Sequence, residues 1–279
     1  MENSVKTTNE KWNIPPESES GGVSWFEKIT LKFFVKSKNT WLARAEEPKE
    51  KELIEIVNEC CREMGISKIP KIIVCDSHIP NACSITLTGN IAFSTNLVEI
   101  MSRNQIKAIT GHELTHHKER FRTLITLFGV CITNSILVTA ASEFIQNKSQ
   151  KFAEFCSKKH NISDALGTVI TLLADFAILM WFSRKAEYRA DLGGAKIAGT
   201  DAMISSLDTL SKRSQEIQKE EEKAGKKDHL AKIIPPFLAS HPSIRKRYAN
   251  LVEHAPKTYI EKHLLDKENS QKPQTYLVS

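Results

Sequence analysis

The sequence predicts a mainly helical α+β protein, in which a domain with a small β-sheet is interrupted by a two-helix transmembrane hairpin. Three observations lead to this prediction. Apolar residues recur at helical spacing over much of the chain. Short β-branched runs separated by turn residues occupy residues 71–94. Two long runs, residues 123–142 and 165–183, carry almost no charged side chains.

The N-terminal region divides into a polar leader and an amphipathic segment. Residues 1–22 lack apolar periodicity, so we predict a disordered leader there. Residues 23–45 alternate aromatic and aliphatic side chains with lysines. This pattern fits an interfacial membrane helix or a first helix packed on the core, and the sequence leaves both open. Residues 49–64 have helical apolar spacing, and Gly65 ends that predicted helix.

A small sheet is predicted before the longest helix. We predict two or three short strands, over residues 71–75, 82–87 and 91–94. Thr88, Gly89 and Asn90 give a turn signal between the last two. Residues 102–105 fit the capping-box pattern, so a helix should begin there and continue through at least Arg122.

The two uncharged runs predict a hairpin over residues 123–183. The first run holds no charged side chain over twenty positions, about the length that crosses a bilayer core. The second run is interrupted only by Asp175 and has Trp181 near its end, where interfacial aromatic residues are common. We therefore predict a transmembrane hairpin. A buried hairpin in a soluble protein is the alternative, because the first run also contains several threonines and Asn134.

Composition restricts the partners and the compartment. The 39 basic and 33 acidic residues give a net charge of +6 without a concentrated basic block, which argues against nucleic-acid binding. Basic residues near the hairpin ends favour a soluble domain on the cytoplasmic side of an inner or plasma membrane. The six cysteines form no CxxC pair, and no secretory signal begins the sequence, which favours a reducing compartment.

The helix that begins near residue 102 carries a metal-binding pattern. His112-Glu113-Leu114-Thr115-His116 places two histidines four positions apart, so both imidazoles can bind the same ion. Glu113 points beside that ion and can take a proton from a water that attacks a peptide carbonyl. The pattern therefore indicates a zinc peptidase. A coincidental match on a surface helix is the alternative.

A catalytic zinc has three protein ligands and one open position, so a third ligand must come from elsewhere. Glu187 and Asp191 lie four apart on the helix predicted to follow the second uncharged run. We predict that Glu187 binds the metal and that Asp191 accepts a hydrogen bond from a ligating histidine. An exposed acidic helix face is the alternative.

Three ordered motifs resemble the HtpX-type membrane metallopeptidases, which are related to the integral membrane CAAX prenyl proteases. They are the HExxH motif, the segment Ser183-Arg184-Lys185-Ala186-Glu187-Tyr188-Arg189-Ala190-Asp191, and the segment Ser240-His241-Pro242-Ser243-Ile244-Arg245. The resemblance covers about residues 65–255. It implies a zincin-like (gluzincin) catalytic domain that holds one zinc ion per chain. Within it, His112, His116 and Glu187 would bind zinc, and Glu113 would be the general base.

The resemblance also implies roles outside the metal ligands. Asp191 would support a ligating histidine, and His241 would face the cleft and stabilise the oxyanion. Asn81 and Ala82 match the strand edge that precedes the motif helix, where an extended substrate could pair. The catalytic domain would comprise residues 23–122 and 184–262, followed by a flexible tail over residues 263–279.

The predicted function is zinc-dependent hydrolysis of peptide bonds in proteins, including misfolded or membrane proteins. Alternatives are a catalytically silent zinc-binding membrane sensor or scaffold, and a soluble gluzincin peptidase. The chain departs from the HtpX pattern in two ways. Its region before the catalytic domain is short and polar at its start, where HtpX-type proteins usually have two further transmembrane helices. Residues 83–86 also lack the usual aromatic and glycine residues.

Overall fold

A computed structural model describes residues 12–15, 22–148, 160–223 and 242–254 of the chain. The predicted leader (apart from residues 12–15 and 22), the predicted tail and His241 lie outside these ranges. The described elements, in chain order, are α1 (Trp25–Phe34), β1 (Thr40–Leu42), α2 (Pro48–Glu63), β2 (Ile72–Cys75), β3 (Ala82–Ile85), β4 (Asn90–Ser94), α3 (Thr95–Ile100), α4 (Arg103–Lys148), α5 (His160–Ala198), α6 (Thr200–Lys223) and α7 (Ile244–His254).

The described strands form one mixed four-stranded sheet in the order β1-β2-β4-β3. The β2–β4 pair is parallel, and the other two pairs are antiparallel. Successive β4 side chains alternate between the two faces of the sheet: Ile91 and Phe93 pack with the core formed by α2, α4 and α6, whereas Ala92 packs with α1. The α+β fold class is therefore confirmed.

The N-terminal helix α1 packs on the sheet through one face. Ser24 caps it, because its side chain accepts from the Glu27 backbone N–H while its own N–H donates 2.9 Å to the Glu27 carboxylate. Leu31 and Val35 are buried, whereas Trp25 is 77% exposed. Of the two readings that the sequence left open, packing on the core is the one seen for Leu31 and Val35.

Two long helices, α4 and α5, dominate the architecture and pack against each other. Glycines allow a close approach between them: a Cβ on Gly111 would lie 3.0 Å from the Gly194 Cα, and a Cβ on Gly194 would lie 2.5 Å from the Ala108 carbonyl oxygen. Real Cβ atoms are not found so close to backbone, so glycine at position 194 is required for this contact. The helix pair brings the HExxH segment against the end of α5.

A helical hairpin occupies part of the predicted region 123–183, with Asn134 of α4 donating 2.7 Å to the Asp175 carboxylate of α5. Among the residues that the structure describes, no helix is both long enough and apolar enough to cross a membrane. The described residues therefore give no support to the transmembrane assignment of this hairpin.

Candidate active site

The site lies where the first part of α4 meets the last part of α5. Helical spacing places His112 and His116 on one side of α4, and Glu187 and Asp191 on the facing side of α5. Gly193 adds to the close helix contact, because a Cβ there would lie 1.9 Å from the Thr115 hydroxyl oxygen. Because glycine has no side chain, the two helices can lie close enough to bring these four polar side chains together.

Three of the predicted ligands converge on one point. The ligand atoms of His112, His116 and Glu187 all lie within 4.8 Å of one another. The two histidine Nε2 atoms are 3.2 Å apart, and the His116 Nε2 lies 3.3 Å from Glu187 Oε1. Glu113 is buried beside them, with its Oε1 4.0 Å from the His112 Nε2.

Asp191 lies behind His112 and is fully buried. Its Oδ1 is 3.0 Å from the His112 Nδ1, and its Oδ2 accepts 2.7 Å from Arg247 Nε of α7. A second guanidinium nitrogen of Arg247 also donates to Asp191, and its Nη1 lies 3.6 Å from Glu187. Arg247 therefore supplies the positive charge that two buried carboxylates need.

These contacts set the electrostatics around the histidines. Burial alone would raise the pKa of Asp191, but hydrogen bonds from Arg247 and His112 lower it, so Asp191 is a carboxylate. A carboxylate only accepts, so the His112 Nδ1 is the donor in its contact with Asp191, and its Nε2 faces His116. Burial would lower the pKa of His116, but the hydrogen bond to Glu187 and the nearby glutamate charges raise it. The same negative surroundings favour a bound cation.

The donor set fits a zinc ion. Two imidazole nitrogens and one carboxylate are a usual set of protein ligands for a catalytic zinc. Nitrogens bound about 2.05 Å from a tetrahedral ion would be roughly 3.3 Å apart. The observed Nε2–Nε2 separation of 3.2 Å between His112 and His116 agrees with that value.

Comparison with known proteins identifies the family. Residues 47–255 match Peptidase family M48. The chain belongs to this family. The M48 match contains the HExxH segment, the α5 acidic pair and Arg247, so it covers the entire cluster described above. The chain is therefore a metalloprotease, whose substrates are proteins or peptides.

Alignments with individual relatives cover most of this M48 peptidase chain. It is 29% identical over 239 residues to protease HtpX of Alkalilimnicola ehrlichii, covering 82% of this chain and 79% of that protein. It is 32% identical over 214 residues to protease HtpX of Nitrosococcus oceani, covering 72% and 71%. A protease HtpX homolog of Neisseria meningitidis is 28% identical over 211 residues, covering 71% of each chain. The predicted resemblance to HtpX-type metallopeptidases is confirmed.

The remaining predicted site residues of this M48 peptidase lie at the edge of the sheet or outside the described residues. Asn81 directly precedes β3, and its backbone N–H donates 2.9 Å to the Ser94 hydroxyl. Ala82 begins β3, which forms one edge of the sheet of described strands and packs against α4. The position of His241, one residue before the described segment that begins at Pro242, lies outside what the structure describes.

Sequence reasoning about this M48 peptidase missed Arg247 and a second ion pair. Arg189 of α5 binds the carboxylate of Glu119 of α4 through two nitrogens, at 2.6 Å and 3.0 Å. This bidentate contact joins α4, three residues after His116, to α5, between Glu187 and Asp191. A signal for Arg247 did exist, because a buried Asp191 requires a cation. However, α7 contains three adjacent basic residues, and the sequence alone does not show which of them reaches Asp191.

Proposed function

We propose that this M48 peptidase is a zinc-dependent endopeptidase that cleaves unfolded or misfolded proteins, membrane proteins among them. One observation carries the proposal: His112, His116 and Glu187 lie within 4.8 Å of one another, with the Glu113 carboxylate buried beside them. This arrangement has three metal ligands and a separate base, which is what metal-assisted hydrolysis of a peptide bond requires.

Each side chain has a distinct task in the proposed reaction. His112, His116 and Glu187 would hold the zinc ion. When bound, zinc supplies a Lewis acid that polarises a carbonyl and makes water more acidic. Glu113 takes the proton from the attacking water and passes it to the amine that leaves. Asp191 keeps the His112 proton on Nδ1, which leaves Nε2 free to bind metal.

The test is cleavage of casein by the purified full chain and by a Glu113→Gln variant, each with its zinc content measured. Glutamine retains the shape of Glu113 but cannot take a proton, so we expect cleavage to fall by at least about a hundredfold while zinc stays bound. Equal cleavage by both proteins would contradict the role of Glu113. Zinc-loaded wild type that cleaves nothing would favour a sensor or scaffold.

We also propose that the hairpin contacts a lipid membrane. Its polar contact, Asn134 to Asp175, lies between the arms, while large apolar side chains are exposed around the outside. Exposed apolar surface of this extent is typical of a membrane or protein contact. The exposed side chains are Phe121, Ile125, Phe128, Ile132, Ile136, Leu172, Leu173, Phe176, Ile178, Trp181 and Phe182.

Flotation with liposomes tests the membrane proposal. We expect the full chain to float with vesicles and to resist extraction by high salt, because the contact is apolar. A chain that stays at the bottom of the gradient without detergent would contradict it. We propose that the catalytic side faces the cytoplasm, since basic residues flank both ends of the hairpin region.

A further inference from the structure

His117, the residue after the second metal-binding histidine, ties the turn between β3 and β4 to α4. Its Nδ1 lies 2.7 Å from the carbonyl oxygen of Gly89. A carbonyl oxygen only accepts, so Nδ1 carries the proton and donates. The 3.4 Å approach of an Arg120 nitrogen to the same Nδ1 is then a packing contact between two donors.

Gly89 is the residue that allows this contact. Its φ of +73° lies in the left-handed region, where a side chain is strained. A Cβ at Gly89 would also lie 1.6 Å from Arg120 Nη1, because the guanidinium group covers the Cα. His117 therefore binds the Gly89 carbonyl while Arg120 packs over its Cα.

The other end of β3 is fixed independently. The Asn81 N–H donates 2.9 Å to the Ser94 hydroxyl, and the Ser94 N–H donates 2.9 Å to the Asn81 carbonyl. Ser94 also caps α3 through the Leu97 N–H. The edge strand is thus held at its start by Ser94, and the turn that follows it is held by Glu27 of α1, which accepts from Asn90, and by His117 of the motif helix.

We infer that His117 is a positioning residue for substrate: by holding the β3–β4 turn, it fixes the distance between the β3 edge and the metal site on the same helix. The substrate is an extended peptide segment whose backbone pairs with that edge. This inference rests on the proposed function. His117 acts indirectly, through its hydrogen bond to Gly89, and we assign it no role as a metal ligand or in proton transfer.

Loss of the His117–Gly89 hydrogen bond should weaken substrate binding more than it slows the catalytic step. If the clamp is lost, the edge can shift relative to Glu113, and an extended peptide must restrain it on binding. The zinc ligands stay in place because they are held by α5 and Arg247. We therefore expect a raised KM with little change in kcat.

The experiment compares variants of the zinc-loaded full chain on a fluorogenic peptide of about ten residues. His117→Phe keeps a ring but loses the donor, whereas His117→Asn places an amide N–H where Nδ1 was. Losing one hydrogen bond should raise KM roughly five- to tenfold for His117→Phe, with kcat within about twofold. His117→Asn should stay near wild type. Lys118→Ala is the control, because Lys118 contacts Met64 instead of the turn.

A second variant approaches the clamp from the strand side. Gly89→Ala displaces the Arg120 guanidinium and strains the turn without replacing any residue of α4, so it should raise KM in the same way. If His117→Phe melts far below wild type, the KM of Gly89→Ala is used to test the inference instead. An unchanged KM in His117→Phe overturns the inference. If Gly89→Ala is the deciding variant, an unchanged KM there overturns it. An equal loss of activity in His117→Phe and His117→Asn overturns it as well. An inactive wild type, or an active Glu113→Gln, refutes the proposed function instead, and the inference falls with it.

Discussion

Replacing Gly194 with alanine tests the close packing of α4 and α5. The new Cβ would lie 2.5 Å from the Ala108 carbonyl oxygen and 2.7 Å from the Met203 sulfur. The sulfur is at the flexible end of a side chain and can move, but the backbone oxygen cannot. To reach an ordinary contact of 3.4 Å, the helices must separate by about 0.9 Å.

The energetic cost follows from a matched control. Gly129 lies in the middle of the partner helix α4 and has nothing within 4 Å of its Cβ position. Both Gly194→Ala and Gly129→Ala gain roughly 1 kcal/mol of helix propensity. The difference between the two variants therefore measures overpacking alone, which is about 1–3 kcal/mol.

The assay is thermal unfolding of both variants in the same detergent, together with zinc titration. For a domain of this size each kcal/mol corresponds to roughly 2–4 °C in Tm. A shift of about 0.9 Å would also move Glu187 and Asp191 away from the two histidines, so zinc affinity should fall at least about tenfold. If Gly194→Ala has the same Tm as Gly129→Ala and keeps its zinc affinity, the glycine contact does not set the spacing between α4 and α5.

Three further changes have defined outcomes. Asp191→Asn removes the charged acceptor of the His112 Nδ1 proton, so zinc affinity should fall roughly 10- to 100-fold in a competition titration with a chromophoric chelator. Arg247→Met leaves the fully buried Asp191 without its cation and should cost about 3–5 kcal/mol in urea unfolding. Burial raises the pKa of Glu27, but hydrogen bonds from Ser24 and Asn90 outweigh it and lower the pKa. That carboxylate stabilises the fold above its ordinary pKa, and the benefit disappears as pH falls, so Glu27→Gln should lower stability by about 1 kcal/mol at pH 7 and by progressively less in acid.

Each of these outcomes has a clear contradiction. Wild-type zinc affinity in Asp191→Asn would mean that the Nδ1 contact does not orient His112. An Arg247→Met variant as stable as wild type would mean that Asp191 is not ionised. A Glu27→Gln deficit that is the same at pH 4 and pH 7 would assign the loss to side-chain shape instead of charge.

Periodicity was enough to predict the elements that bury a regular face. The strand runs ending at Cys75 and Ser94 are apolar and β-branched, and both lie within one residue of the predicted bounds. The three-residue strand β1 was missed, because so short a segment has no measurable period and depends on pairing with β2. Helix α3 was missed for a similar reason, since it is six residues long.

The site was predictable where chemistry fixes spacing along one helix. His112 and His116 follow from the four-residue period, and Glu187 and Asp191 follow from the need for a third ligand. Arg247 could not be chosen over its basic neighbours, because the face of α7 that points inward depends on tertiary packing. Gly193 and Gly194 likewise have meaning only once the partner helix is known.

The glycine contact also determines how the molecule responds to force on the hairpin. The glycine contact between α4 and α5 is next to His112, so a tilt of one helix against the other that kept this contact would pivot there. From Gly111 to the end of α4 at Lys148 is about 55 Å at 1.5 Å per residue. A tilt of roughly 5° would displace that end by ~5 Å but His116 by only ~0.7 Å. Such a tilt of the distal hairpin would therefore be attenuated before it reaches the proposed metal ligands.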